Sequence, residues 1–339
     1  MKKLAILGAG SWGGTLAWLN AGVNKDVVLW DRNPEKIEAL KADRTMRFPV
    51  PLTLPDSLHL TSDLTEAITG ADVIMVVVTS HGSRGVLRQM RDSGKLMANA
   101  ILVNCSKGIE YPSLKRMSEV FAEELPDHAY AVLSGPSLAV EIIHGLPTAC
   151  TLACADDELA EYLQIYLSHD RLLRLYTNTD VVGTELGGSL KNIVAIASGY
   201  MKQKQLGDNA QAALITRGLA EMTRFSVAQG ADPKTLYGLS GLGDLLATCN
   251  SPLSRNYQVG AGLAQGKLLD TVLTDLKAVA EGVKTTRAVC EMGEKLGLDL
   301  PIAKMVALCL NGPFSEETII KGLMSRKLKS EHAIPSAKA

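Results

Sequence analysis

The chain reads as an α/β protein, a doubly wound and mainly parallel sheet followed by a second unit that is nearly all helix. Three observations predict this. Short β-rich runs alternate with helix signals through the first half, and a glycine turn, GAGSWG, stands where the first strand would hand over to the first helix. Beyond about residue 184 the β-rich runs stop and helical periodicity takes over. At 339 residues the chain is too long for one average core, so two units are expected, 1–184 and 185–339.

Taken in order, the runs 3–7, 27–30, 73–78, 101–104, 129–133, 148–153 and 172–176 are the expected strands. Asn33 and Pro34 read as an N-cap and first helical residue, and Pro112 as the opening of a helix through 124. A proline-rich loop occupies 48–55. In the second unit helices are expected over 210–229, closed by Gly230, over 281–296, closed by Gly297, and over 302–310 and 316–324. The last stretch, 326–339, is charged and rich in small residues, and is expected to fray.

Bulk properties narrow the function. The 35 basic and 36 acidic residues leave a formal net charge of -1, which argues against a nucleic-acid surface while allowing a local cationic pocket for one phosphate. A small-molecule ligand is therefore expected. Met1-Lys2-Lys3 and the apolar residues after it look like the start of an export signal, but glycines at 8, 10, 13 and 14 interrupt them. With no apolar run longer than six residues, no membrane span is expected and the protein is placed in the cytoplasm. Six cysteines, at 105, 150, 154, 249, 290 and 309, form no CxxC pair and lack histidines at zinc spacing, so buried free thiols and no metal are expected.

Several stretches are suited to chemistry. In GAGSWG, Gly8 permits a tight turn, Gly10 lets the backbone approach a pyrophosphate and Gly13 allows close helix packing, with Ser11 and Trp12 placed to touch the cofactor. Without a ligand the same residues are a plain glycine turn. Asp31, at the end of the second strand, is placed to accept from an adenosine ribose hydroxyl, and Arg32 to pair with a 2′-phosphate, so either NADH or NADPH suits them. A solvated turn is the other reading. Three more strand ends carry polar residues toward the ligand edge of such a sheet: Ser80-His81, Ser106-Lys107-Gly108 and Ser134-Gly135-Pro136-Ser137. Lys107 is a candidate contact for substrate or nicotinamide, whereas His81 is balanced between ligand and helix cap.

The stretch ELGGSLKNIVAIASG, 185–199, sets Lys191 on a probable helix among small side chains. Leu186, Leu190, Ile193 and Ala197 form an apolar stripe, and Gly187, Gly188, Ala195 and Ser198 line the sector around the lysine. Small neighbours leave room for a ligand or for close backbone, and a desolvated ammonium has its pKa lowered toward the range useful for proton transfer. The alternative is a lysine snorkelling along an ordinary helix. In GLSGLGDLLATC, Asp244 is either an N-cap or a carboxylate orienting Lys191. Ser254, Arg255 and Asn256 suit a phosphate group, or an exposed helix start.

Together, GAGSWG, SKGIE, SGPSLAVE, ELGGSLKNIVAIASG, GDNAQAALITRG, GLGDLLATC and SRNYQVG resemble, in this order, the bacterial NAD(P)-dependent glycerol-3-phosphate dehydrogenases, from residue 4 to about 325. The resemblance implies a Rossmann-like N-terminal domain, a helical C-terminal domain, and reversible reduction of dihydroxyacetone phosphate to sn-glycerol 3-phosphate for glycerophospholipid synthesis. By position it implies Lys191 as catalytic proton donor and acceptor and Lys107 as a second active-site lysine. Gly135, Ser137, Asp244, Ser254, Arg255 and Asn256 fall at substrate positions, and Ser11, Trp12, Arg32, Lys107, Ala139, Arg255, Val279 and Glu281 at cofactor positions. Val140 stands where the family often has lysine, and the variable adenosine-end residues leave the choice of NADH or NADPH open. In the mechanism so implied, Asp244 and Asn192 hold the Lys191 ammonium and Arg255 with Asn256 anchors the phosphate. Two rival readings are another lysine-dependent reductase, such as a 3-hydroxyacid or 6-phosphogluconate dehydrogenase, and a noncatalytic nicotinamide sensor. Apolar helices of the second unit suit either a homodimer face or a core.

Overall fold

Seven of the β-rich runs form one sheet, and an eighth strand joins at its edge. The computed structural model describes residues 2–22, 25–276 and 279–312, with Leu328 and Ser330. The helix expected over 316–324 and nearly all of 326–339 lie outside the described residues. The strands are β1 (Lys3–Leu7), β2 (Asp26–Trp30), β3 (Thr45–Met46), β4 (Leu52–Thr53), β5 (His59–Thr61), β6 (Ala71–Val76), β7 (Ile101–Asn104), β8 (Tyr130–Ser134), β9 (Thr148–Cys154) and β10 (Leu173–Asn178). Sheet order is β10-β9-β8-β7-β6-β1-β2-β5, with β3 and β4 forming a small separate hairpin. All neighbours in the large sheet run parallel except β8 and β9.

Period-two alternation explains how the sheet is covered on both faces. Leu4 and Ile6 of β1 enter one core with Leu29 and Val73, while Ala5 and Leu7 enter the other with Val28 and Ile74. Strands buried on both sides read as continuous apolar runs, which made them visible. The edge strand β5, three residues long, is too short to show any period.

The helices of the first half are α1 (Ser11–Ala21), α2 (Pro34–Asp43), α3 (Leu64–Ile68), α4 (Ser80–Asp92), α5 (Met117–Glu124), α6 (Ala139–Ile143) and α7 (Asp157–Leu167). Asn33 caps α2 by accepting from the Lys36 amide at 3.2 Å. The helix expected from Pro112 begins only at Met117. Leu114 holds a left-handed φ of 63° and the Ser113 hydroxyl turns to the Glu110 carboxylate, so no helical turn forms until Glu119 accepts from the Arg116 amide at 2.8 Å.

After β10 every described element is helical: α8 (Val181–Gln203), α9 (Asp208–Ala228), α10 (Pro233–Leu236), a π-helical turn (Leu239–Gly243), α11 (Asp244–Asn250), α12 (Arg255–Ala264), α13 (Leu269–Leu276), α14 (Glu281–Lys295) and α15 (Pro301–Asn311). Helix α8 is enclosed on all sides rather than amphipathic, with nearly all of Gly183 to Tyr200 buried. Its glycines admit neighbouring backbone. A methyl group on Gly199 would come within 1.9 Å of the Tyr257 carbonyl oxygen of α12, and one on Gly260 of α12 within 1.8 Å of the Ile196 carbonyl oxygen.

Four of the six cysteines are buried as free thiols, and Cys290 and Cys309 are half-buried. Among the described residues no His, Cys, Asp and Glu cluster has the makings of a metal site, and no helix is long and apolar enough to cross a membrane.

Candidate active site

Helix α8 carries Lys191 to the carboxyl ends of β7 and β8, where two loops and the start of α11 converge. The residue is 7% exposed. It donates to Asp244 Oδ1 at 2.9 Å and to Thr248 Oγ1 at 2.6 Å, and its third N–H has no acceptor among the described residues. Lys107, just past β7, donates to the other Asp244 oxygen at 2.7 Å, to the Gly135 carbonyl oxygen at 2.8 Å and to Ser137 Oγ at 3.1 Å. All three of its N–H groups are engaged. One carboxylate thus bridges two ammoniums, and the cluster carries a net positive charge.

Burial pulls Lys191 down to a pKa of about 8, with Asp244 opposing that fall and Lys107 adding to it. Burial works in the opposite sense on Asp244, but the two lysines outweigh it and hold the carboxyl below its ordinary value. Asp244 is therefore ionised at neutral pH, while Lys191 sits close to the point of releasing its proton.

The glycine pair on α8 makes this convergence possible. A methyl group on Gly187 would lie 2.6 Å from the Ser240 carbonyl oxygen in the π-helical turn that delivers Asp244, and one on Gly188 would lie 2.3 Å from Ser134 Oγ. Small side chains around Lys191 thus serve close backbone approach. Asp244 does not cap α11; it opens that helix with its carboxylate turned to the lysines. Thr248, one turn further along α11, was missed from the sequence, although its i+4 spacing from Asp244 places both on one helix face.

Asn192 does not hold the ammonium. Its Oδ1 accepts from Asn256 Nδ2 at 2.9 Å, while Asn256 Oδ1 accepts from the Gly282 amide at 3.0 Å, so the two amides tie α8, α12 and α14 together. Ser254 is buried and caps α12, accepting from the Tyr257 amide at 3.3 Å. Arg255 is exposed to solvent, while neighbouring protein lowers its guanidinium pKa and Glu281 opposes that fall. The Glu281 carboxylate accepts from the Ser80 amide at 3.0 Å and from the Ser80 hydroxyl, joining the first turns of α14 and α4. Gly108 must be small there, since a methyl group would meet Ser80 Oγ at 2.5 Å.

The glycine turn lies at the same edge of the sheet. Gly8 has φ 120° and packs on the Val77 carbonyl, and a methyl group on Gly13 would meet the Gly8 carbonyl oxygen at 1.9 Å. Nothing lies within 4 Å of the corresponding position at Gly10. Packing therefore accounts for two of the three glycines, whereas no atom of the described chain crowds the third. No side chain caps α1, so its first-turn N–H groups suit a pyrophosphate. Asp31 accepts from the Ala9 amide at 3.1 Å and from Lys36 Nζ at 2.7 Å, which fixes it against this turn rather than leaving it solvated. Arg32 is exposed beside it. His81 contacts Thr79 Oγ1 at 3.4 Å; burial first, then Lys284 and Arg32, lowers its pKa. Trp12 packs on the sheet core, α6 with Ala139 at its start packs on α1, and exposed Val279 leads into α14.

A phosphate-ready turn on a parallel sheet, joined to a helical unit bearing a buried lysine, defines a nicotinamide-dependent dehydrogenase. Comparison with known proteins makes the family specific. Residues 3–160 match the NAD-dependent glycerol-3-phosphate dehydrogenase N-terminus and residues 180–321 its C-terminus, and the chain belongs to this family. A relative from Nitratidesulfovibrio vulgaris strain Hildenborough, named glycerol-3-phosphate dehydrogenase, NAD(P)+, is 45% identical over 332 residues, covering 97% of this chain and 100% of that one. One of the same name from Lysinibacillus sphaericus is 43% identical, covering 98% of each. The crystal structure of glycerol-3-phosphate dehydrogenase from Coxiella burnetii superposes with a TM-score of 0.90 at 34% identity, over 96% of this chain and 99% of that one. A ketopantoate reductase from Ralstonia eutropha, at 15% identity and a TM-score of 0.60, shares the fold alone.

Proposed function

We propose that the chain reversibly reduces dihydroxyacetone phosphate to sn-glycerol 3-phosphate with NADPH or NADH, Lys191 giving the proton to the developing C2 alkoxide. The buried Lys191 ammonium, held by Asp244 and Thr248 with one N–H to spare, is the observation that carries this reading. The nucleotide unit is taken as 1–184 and the catalytic unit as 185–339. The Gly8–Gly13 turn would hold the cofactor's pyrophosphate, and the reduced nicotinamide would supply the hydride.

The protein's part is charge and position. Lys191 stabilises the oxyanion and protonates it, and in the reverse direction the neutral amine accepts the alcohol proton. Lys107 adds positive charge, keeps Asp244 ionised and fixes the Gly135–Ser137 loop. Arg255 meets the substrate phosphate, helped by the hydroxyl proton of Ser254 and the remaining amide proton of Asn256. No metal is required, since the ammonium does the work of a Lewis acid.

The product feeds glycerophospholipid synthesis in the cytoplasm. Exposed Leu268, Leu296 and Leu308 of the helical unit supply apolar surface for a homodimer, which light scattering would detect.

An NADPH-oxidation assay with dihydroxyacetone phosphate, run beside ketopantoate and a panel of 2-keto acids, tests the reaction. Consumption should depend on dihydroxyacetone phosphate. A faster rate with any keto acid, or none with dihydroxyacetone phosphate, overturns the reading.

At the adenosine end, Arg32→Ala should weaken NADPH and spare NADH, because only NADPH presents a 2′-phosphate. A lost charge-assisted contact of about 1.5–3 kcal/mol corresponds to a roughly 10- to 100-fold weaker dissociation constant. Equal losses for both nucleotides in a fluorescence titration would remove Arg32 from this role. Asp31→Ala should weaken NADH more than NADPH, with a smaller loss common to both because Asp31 also holds the Ala9 amide of the glycine turn.

A further inference from the structure

Glu185 opens the stretch that contains Lys191, yet it takes no part in the reaction as described. It is 6% exposed and lies on α8, but the four hydrogen bonds of its carboxylate all go to the strand-bearing half of the molecule. Oε1 accepts from the Ser118 amide at 2.7 Å and from the Tyr130 hydroxyl at 2.6 Å. Oε2 accepts from Ser118 Oγ at 2.8 Å and from Arg116 Nη1 at 3.2 Å. These donors belong to the first turn of α5 and the start of β8, and the Tyr130 ring is itself held edge-on to Phe121, with centroids 5.0 Å apart.

Taking a carboxylate out of water is costly, and even a well-paired buried ion adds little net stability compared with apolar packing. Burial accordingly raises the Glu185 pKa, although Tyr130, Ser118 and Arg116 oppose the rise. What such a placement supplies is geometry. The strand that begins at Tyr130 ends at Ser134 and continues into the loop gripping Lys107, and the expected nicotinamide edge is formed by these same strand ends. Lys191 lies six residues beyond Glu185, roughly 9 Å along the helix axis.

Resting on the reaction proposed above, the geometry points to Glu185 as a positioning residue. Its carboxylate locks the helix that carries Lys191 to the sheet unit that carries the cofactor, and so sets the distance from proton donor to reacting carbonyl. The Glu281 contact with Ser80, at the cofactor edge, and the Lys107–Asp244 pair are further ties between the two halves, neither of them made by α8 itself. With Glu185 holding α8 directly, loss of its contacts lets the catalytic helix drift while leaving both binding surfaces intact. A misplacement of about 1 Å remote from the chemistry can cost on the order of 100-fold in rate.

Glu185→Gln and Tyr130→Phe test this. The first keeps the side-chain size but turns an amide donor toward donors, and the second removes one bond. Measured quantities are NADPH affinity, KM for dihydroxyacetone phosphate, kcat, the primary deuterium isotope effect with 4-deuterated NADPH, and hydrogen exchange across residues 183–190. Glu185→Gln should lose roughly 10- to 100-fold in kcat, with a raised isotope effect, faster exchange, and affinity and KM within about twofold of wild type. Tyr130→Phe should move each in the same direction by less.

A fall in kcat with an unchanged isotope effect would mean fewer active molecules rather than a displaced donor, and would overturn the proposal, as would unchanged kcat and exchange. If Glu185→Gln does not fold, Tyr130→Phe decides by the same criteria. If wild-type protein does not oxidise NADPH with dihydroxyacetone phosphate, the functional reading fails separately. Hydrogen exchange then judges the lock alone: faster exchange of α8 in Tyr130→Phe supports it, and unchanged exchange overturns it.

Discussion

Lys191→Met is expected to lower turnover of dihydroxyacetone phosphate by 10⁴-fold or more while leaving NADPH affinity near wild type. General acid catalysis supplies roughly 10²–10⁴ in rate, and the same ammonium also stabilises the oxyanion, so both contributions vanish together. Methionine keeps most of the stem's volume, and Asp244 retains Lys107 at 2.7 Å, so the site should not collapse. Stability should follow a definite sign. An unfolded lysine titrates at its ordinary 10.5 and the buried one at about 8, so between those values the unfolded chain holds a proton that the folded chain has released. The wild type gains stability as pH rises through this window, and below it the ammonium bears its full burial cost. The Lys191→Met variant should lose this gain between pH 8 and 10.5, which thermal melts across that range would show. Near-normal turnover with intact cofactor binding would transfer the proton donor to Lys107 or to water.

Arg255→Ala is expected to raise KM for dihydroxyacetone phosphate by roughly 10- to 100-fold, the equivalent of one charge-assisted contact of about 1.5–3 kcal/mol. Dihydroxyacetone, a far poorer substrate, should be almost unaffected because it presents no phosphate to the guanidinium. The comparison isolates the anchor. If steady-state kinetics show equal losses for both substrates, Arg255 serves the cofactor or the packing of α12 instead.

Most of the sheet was legible because its strands are covered on both faces and therefore read as apolar runs; β5 escaped because three edge residues carry no pattern. The helix expected from Pro112 failed on a local conflict, with left-handed Leu114 and Ser113 turned to Glu110 delaying it to Met117. Within the site, Lys191 stood out through its small neighbours, but its partners are remote along the chain. Asp244 is 53 positions from Lys191 and 137 from Lys107, so spacing alone left Asp244 open between helix cap and lysine partner. The Asn192 assignment failed for a related reason. A residue adjacent to Lys191 on a helix points about 100° away from it, and Asn192 accordingly meets Asn256 on α12. Thr248 carried a readable i+4 signal from Asp244, which became meaningful only once Asp244 was known to face inward. The π-helical turn that aims Asp244 has no distinctive local pattern beyond its glycines.

The pH dependence of kcat/KM for sn-glycerol 3-phosphate oxidation tests the central assignment most directly. In this direction Lys191 must be neutral, so the wild-type rate should rise with pH through a limb centred at about 8. The residual activity of Lys191→Met should be flat over the same range. A limb that persists unchanged in Lys191→Met, or a wild-type profile without an ionisation between pH 7 and 9, would contradict proton transfer by this lysine.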